Sequence, residues 1–329
     1  LMITTNRAIN FHARSLSCVI ALFFLTGCAA STPNPTPTWL LSTPPARAPT
    51  VEPTSTATAV MTASPSPAPP TKSLTISSSP RIEIVAENLG YPDFFTRATD
   101  GSIYVSDYKA GTIQRFKNGK TELVISNLGF PECVIALPDD SLAILENGKE
   151  RLIRYDLNTK QISLIATFTN RSGIQGGVDD FAFDSQTKTF IVPDTPYGVV
   201  LRISFDGKIV KEIASGFKQP TSAYVEREGS ILISDKGAGT IKRIQPNGKV
   251  DLVIALPVSP DGAISDEQGN IFFVTLQDSA VHLLRAGSTK DEVYVKDLKK
   301  PAAPMWDVDG NLLIAESGAG RLLRLVIRD

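Results

Sequence analysis

Histidine is almost missing from this 329-residue chain, which carries only His12 and His282. That scarcity argues against zinc hydrolases, imidazole general bases and any Ser–His–Asp set. Cysteine is as sparse. Cys18 lies inside an N-terminal apolar run, Cys28 closes it, and only Cys133 falls in the β-rich remainder. No disulfide within that remainder is available, and Cys133 reads as a small buried hydrophobe. Charge of one sign is lacking too. A net charge of −1 gives no electrostatic reason to expect nucleic acid. A membrane-spanning run is absent, because "LSCVIALFFL" at 16–25 falls well short of the about 20 residues that a span needs.

The short run has a different use. Arg7 and Arg14 precede it and "LTGC" at 25–28 ends it, which is the layout of a secretory signal. The ending resembles the lipobox of bacterial lipoproteins. That resemblance implies a signal over 1–28, lipidation of Cys28, a membrane anchor and an extracytoplasmic location. Residues 29–79 are rich in Pro, Ser, Thr and Ala, and read as a disordered linker that buries no core. Trp39, Leu40 and Leu41 form its apolar cluster.

From residue 80 the chain repeats. "YPDFFTRATDGSIYVSDYKAGTIQRFKNGKTELVIS" and "QPTSAYVEREGSILISDKGAGTIKRIQPNGKVDLVIA" share one plan of four short strands and turns. A marker proline opens each first strand, at Pro92, Pro131, Pro220, Pro260 and Pro301, with Val178 in its place in the third unit. The spacing is about 40 residues, the length of one propeller blade. The reading is all-β, a six-bladed β-propeller over 80–329 and a monomer. The last unit lacks a fourth strand, and "RIEIVA" at 81–86 resembles the fourth strands of the others. The N-terminal strand is therefore expected to close blade 6 and remove an open edge.

Two acid-rich positions fall at one rim. Asp93, Glu132, Asp179, Thr221, Asp261 and Ala302 follow the marker; Asp107, Glu146, Asp194, Asp235, Thr275 and Glu316 end the second strands. Eight residues after most of the latter stands Arg115, Arg154, Arg202, Arg243 or Arg324, whereas blade 5 has neither the acid nor the arginine. This covariation predicts ion pairs between the two sets. Asp93, Glu132, Asp179 and Asp261 have no such companion, and their hard oxygen donors suit a divalent metal, Ca²⁺ above all. "NRSGIQGG" at 170–177 reads as a connection between blades 2 and 3, either a plain surface loop or a lid offering Arg171 to an anion.

Residues 80–329 resemble the NHL-repeat and SMP-30/gluconolactonase-like propellers. "PDGAISDEQGN" at 260–270 is similar to the "PDG…D…G" segment of the latter family. The resemblance implies that Asp261 is a metal ligand and catalytic base in lactone hydrolysis. Two other family ligands do not match, since Gly90 and Thr221 stand at their places. The sequence thus supports a tethered propeller that binds a small polar ligand, a divalent cation or a partner protein at its acidic mouth. A metal-dependent lactonase, with Asp261 aided by Asp93 and Glu132, is the alternative.

Overall fold

The computed structural model describes residues 75–168 and 177–328. The signal, Cys28, most of the linker and Arg171 lie outside them. Within them the chain forms six four-stranded antiparallel sheets, each one blade of a β-propeller. The innermost strands are Pro92–Arg97, Pro131–Ala136, Ala182–Asp184, Pro220–Val225, Pro260–Ser265 and Pro301–Trp306. Proline can begin these strands because the first residue need not donate to the ladder. The second strands are almost wholly buried, as in Ile103–Asp107 and Ile271–Thr275, and read as apolar runs. The fourth strands are the most exposed, with Leu123, Leu164 and Leu252 facing solvent.

Ring closure follows the expected design. The N-terminal strand pairs with Arg321–Arg328 in blade 6, with Ile82 opposite Leu325 and Ile84 opposite Leu323. It begins at Ile76, inside the segment assigned to the linker. Its serines hid it from a compositional reading. Ile76 is buried beside Val295, Leu298 and Ile327, and Ser77 accepts a 2.9 Å hydrogen bond from the Tyr294 hydroxyl.

The core lies between blades. Phe95 is buried in the contact of blade 1 with blade 6. Phe272 meets Trp306 and Tyr294 edge-on at 5.5 Å, joining blades 5 and 6. Such aromatic pairs contribute about 1 kcal/mol each beyond their burial. Turns between first and second strands reuse one device. Asp266 accepts the amides of Gln268 and Asn270, while Gly269 takes φ 85°, which a side chain would disfavour.

The predicted ion pairs are corrected by the register. Asp235 lies opposite Thr240, and Arg243 lies opposite Leu232, three residues toward the other rim. At about 3.3 Å per residue the two are on the order of 10 Å apart. Arg243 instead clamps Glu226 from two nitrogens, at 2.6 and 2.9 Å. Arg202 takes Asp184 at 2.8 Å, Arg324 takes Asp307 at 2.8 Å, and Arg154 takes Asp139. Arg115 takes Glu122 at 2.7 Å. Most of these acids belong to the turn after the first strand. The acids that end second strands hold the backbone of the preceding loop. Asp235 accepts the Lys218 and Gln219 amides, Glu146 that of Gly129 and Glu316 that of Lys299.

Blade 5 has Leu283 at the arginine's place and buries an imidazole one residue earlier. His282 is only 4% exposed. Its Nδ1 meets Asp291 at 2.7 Å, its Nε2 meets Asp278 at 2.9 Å, and its ring stacks on Phe273. His282, Thr275 and Asp278 thus form one hydrogen-bonded cluster.

Candidate ligand-binding channel

A bulge at the start of the inner strands aims the marker-following residues. Pro260 pairs with Thr275 and Gly262 with Val274, so Asp261 is the extra residue. Pro131 pairs with Glu146 and Cys133 with Leu145, which singles out Glu132 in the same way. Thr221 is the extra residue of blade 4, and blade 1 has its register shift between Pro92 and Phe95. A bulged residue leaves the ladder and re-aims its side chain. Here the result is a row of side chains directed into the central channel.

That channel encloses about 600 Å³ and is lined by the inner strands of all six blades. All four sequence-chosen acids, Asp93, Glu132, Asp179 and Asp261, line it, together with Asp180 and Lys236. The first residues of the strands make an acidic mouth. Further along the strands the wall changes to Ile135, Phe183, Tyr224, Ile264 and Trp306. The Trp306 indole N–H donates to the Ser265 carbonyl at 2.9 Å, which holds the ring at the channel wall.

The acids are not equivalent. Asp261 has a partner after all: the Lys236 ammonium stands 3.0 Å from its Oδ1. A search for arginine within the same repeat missed it, because the lysine comes from the neighbouring blade. Asp93 and Glu132 hydrogen-bond to each other and are both raised by burial first. Two carboxyls in contact cannot both ionise cheaply, so the pair holds a proton. Asn147 donates to Glu132 at 3.2 Å and fixes the pair from the rim. Burial pushes Asp179 up to about 7; Lys236 opposes the rise, while Asp261 and Asp93 add to it. Asp180 is also pushed up to about 7 by burial, against contacts with the Cys133 thiol, the Phe181 amide and the Ser222 hydroxyl. Burial works against Lys236, but Asp261, Asp179 and Glu132 together raise it and keep it charged.

Sequence reasoning missed Lys236 and Asp180, and both had a legible mark. Lys236 follows the acid ending its second strand, a position filled elsewhere by Tyr108, Asn147, Thr195, Leu276 and Ser317. Several of these reach the next blade. Asn147 and Thr195 donate to the Val178 and Pro220 carbonyls, and Ser317 donates to that of Pro92. Lys236 does the same toward Asp261. Asp180 is the second acid of "VDDF", in the blade whose marker proline is replaced.

The donor set does not fit the expected metal. Among the described residues no three His, Cys, Asp or Glu side chains are grouped so as to hold one ion. The channel already carries its own cation, Lys236, on Asp261. No chemical step is assigned to a metal.

Comparison with solved structures places the fold. A gluconolactonase from Xanthomonas campestris is similar with a TM-score of 0.64 and 14% identity, over 75% of this chain and 90% of that one. Virginiamycin B lyase from Staphylococcus aureus is similar with a TM-score of 0.58 and 13% identity, over 75% of this chain and 99% of that one. No protein-family model and no curated protein sequence matches. The chain is therefore a six-bladed β-propeller with an acidic central channel. Its structural neighbours include gluconolactonases and virginiamycin B lyase, proteins of different named activities on one scaffold.

Proposed function

We propose that the protein is a binding propeller whose channel takes a small organic cation. One observation carries this reading: five carboxyl groups and a single lysine share one enclosed channel of about 600 Å³. Such a site relieves its repulsion by holding protons or by holding a cation. The walls of Tyr224, Trp306 and Phe183 favour a cation with an apolar body over a bare ion, since aromatic faces attract ammonium groups. Entry of an ammonium group displaces protons from Asp179 and Asp180, so binding near pH 7 releases protons. Calorimetry with n-butylammonium and n-hexylammonium in buffers of different ionisation enthalpy tests this. Saturable binding with buffer-dependent heat is expected. No binding at millimolar amine, or binding without proton release, overturns the reading.

Ca²⁺ is the alternative cation, and thermal melts with and without it separate the two: the organic-cation reading expects no Ca²⁺-dependent rise. The tether belongs to the same proposal, with lipidated Cys28 holding the propeller at the extracytoplasmic face of a membrane. A Cys28→Ala variant that still partitions with membranes would refute the anchor.

A second reading, hydrolysis of lactones or related esters, is favoured by Asp179, whose raised affinity for a proton near neutrality suits a general base. In that reading Asp179 activates water and Lys236 steadies the developing oxyanion, while Asp261 positions Lys236. Gluconolactone turnover that falls at least tenfold in Asp179→Asn would establish it, and no turnover would remove it.

A further inference from the structure

A second cleft opens on the same rim, between blades 6 and 1. It is an open cleft of about 700 Å³, lined by Tyr91, Lys109, Lys300 and the Ser317–Gly320 turn, among others. Its charge is opposite to that of the channel. The Lys109 ammonium lies 3.9 Å from the Tyr91 ring centre, and the Lys300 ammonium lies 5.7 Å from it. Lys300 also reaches the Tyr91 hydroxyl at 3.4 Å. Among the described residues neither lysine has a carboxylate within ion-pair distance, whereas Lys149 and Lys236 on the same rim each hold one.

The nearby carboxylates are engaged elsewhere. Asp107 is buried beneath Gly90 and accepts the Ala110 amide. Glu316 accepts the Lys299 amide and pairs with Arg321. The glycines of the turn are explained by packing, since a Cβ on Gly318 or Gly320 would come within 2.9 Å of a backbone oxygen. They are therefore not read as a phosphate loop. What remains is two ammonium groups gathered on one tyrosine, like charges brought together without a counter-ion, which is the electrostatic complement of an oxyanion.

Position links the two sites. Tyr91, in the cleft, is two residues from Asp93, in the channel mouth. At about 3.3 Å per residue their backbones are roughly 7 Å apart. Ser317 of the cleft turn donates to the Pro92 carbonyl between them at 2.6 Å, so the two sites share one wall.

We propose that this cleft is an anion site that receives the carboxylate or phosphate end of a zwitterionic ligand whose ammonium end lies among the channel carboxylates. It rests on the cation-binding reading above and names the ligand class more closely. The separation of the ligand's two charges is read by the aminoalkanoates of different length in the test below. Two like-charged neighbours fixed on a ring also hold an anion better than separate, freely moving lysines, because less side-chain freedom is lost on binding.

The test compares affinities by calorimetry, with n-hexylammonium as the reference for the six-carbon zwitterion. n-Butylammonium probes the channel alone; 4-aminobutyrate, 6-aminohexanoate and 4-aminobutyl phosphate add an anionic end. The best zwitterion is expected to bind about tenfold more tightly than its reference amine, and the gain is expected to shrink with added salt. In the Lys109→Gln/Lys300→Gln variant the zwitterion-to-amine affinity ratio is expected to fall to about one. Both lysines are exposed, so folding is expected to be unaffected, which a melt confirms. Preference for the aminoalkanoates or for the phosphate decides which oxyanion is taken. Amine binding with no zwitterionic gain, or a gain that survives the double variant, refutes the cleft and leaves the channel reading standing. Failure of butylammonium to bind the wild type refutes the channel reading and the zwitterion with it.

Discussion

Asp179→Asn separates a ligand site from a structural one, because the two make opposite predictions for stability. Burial raises the Asp179 proton affinity from an ordinary 3.8 to about 7. A carboxyl raised in the folded state binds its proton there over a range where the unfolded chain has lost it. The folded protein holds more protons between about pH 4 and pH 7, so stability falls as pH rises through that window. A rise of roughly three pH units corresponds to about 4 kcal/mol at about 1.4 kcal/mol each. Asparagine removes that burden, which is already net of the attraction to Lys236, so a gain of up to about 4 kcal/mol is expected above pH 7. For a propeller of this size that is a rise in Tm of up to about 8–16 °C. Thermal and urea melts at pH 4.5 and pH 8 read it: almost no difference at the lower pH and a more stable variant at the higher one. The same variant is expected to bind alkylammonium ions at least tenfold more weakly. A variant that is less stable at pH 8, or equally stabilised at both pH values, refutes the argument that Asp179 is held strained for binding.

Three further outcomes follow from the fold. A double-mutant cycle on Arg243 and Glu226 is expected to show coupling of about 1–3 kcal/mol, because the pair is two-pronged and Glu226 is buried; a cycle on Arg243 and Asp235 is expected to show none. Deleting residues 75–86 opens blade 6 along its outermost strand and exposes the Leu323 and Leu325 side of the ladder, so cooperative melting is expected to be lost or Tm lowered by more than 10 °C. His282→Leu leaves the partly exposed Asp278 and Asp291 without their shared partner, and a loss of about 1–2 kcal/mol by urea melts is expected. Coincident curves for variant and wild type would show that the cluster carries no stability.

The repeats were legible because each blade solves the same local problem. Strand propensity, acidic-Gly turns and a strand-opening proline recur about every 40 residues, and that spacing alone names a propeller blade. Ring closure was legible for the same reason, since the last repeat lacks one strand and the first residues supply a matching one. The start of that strand was not, because Ile76 is held by side chains from blades 5 and 6 that no local pattern announces.

The sequence by itself determined the architecture and the acidity of the channel. Residues that follow a marker proline sit at one rim in every blade, so their side chains gather whatever the loops do. Tertiary structure decided the pairing. Whether Arg243 meets Asp235 or Glu226 depends on a hairpin register that places position eight toward the far rim. Whether Asp261 is free depends on Lys236, which arrives from the next blade. Burial then sets the charge: adjacent carboxyls that would be ordinary in solution hold protons when six strands enclose them. Composition counts acids, but only the packed ring fixes which of them have a partner and which await one.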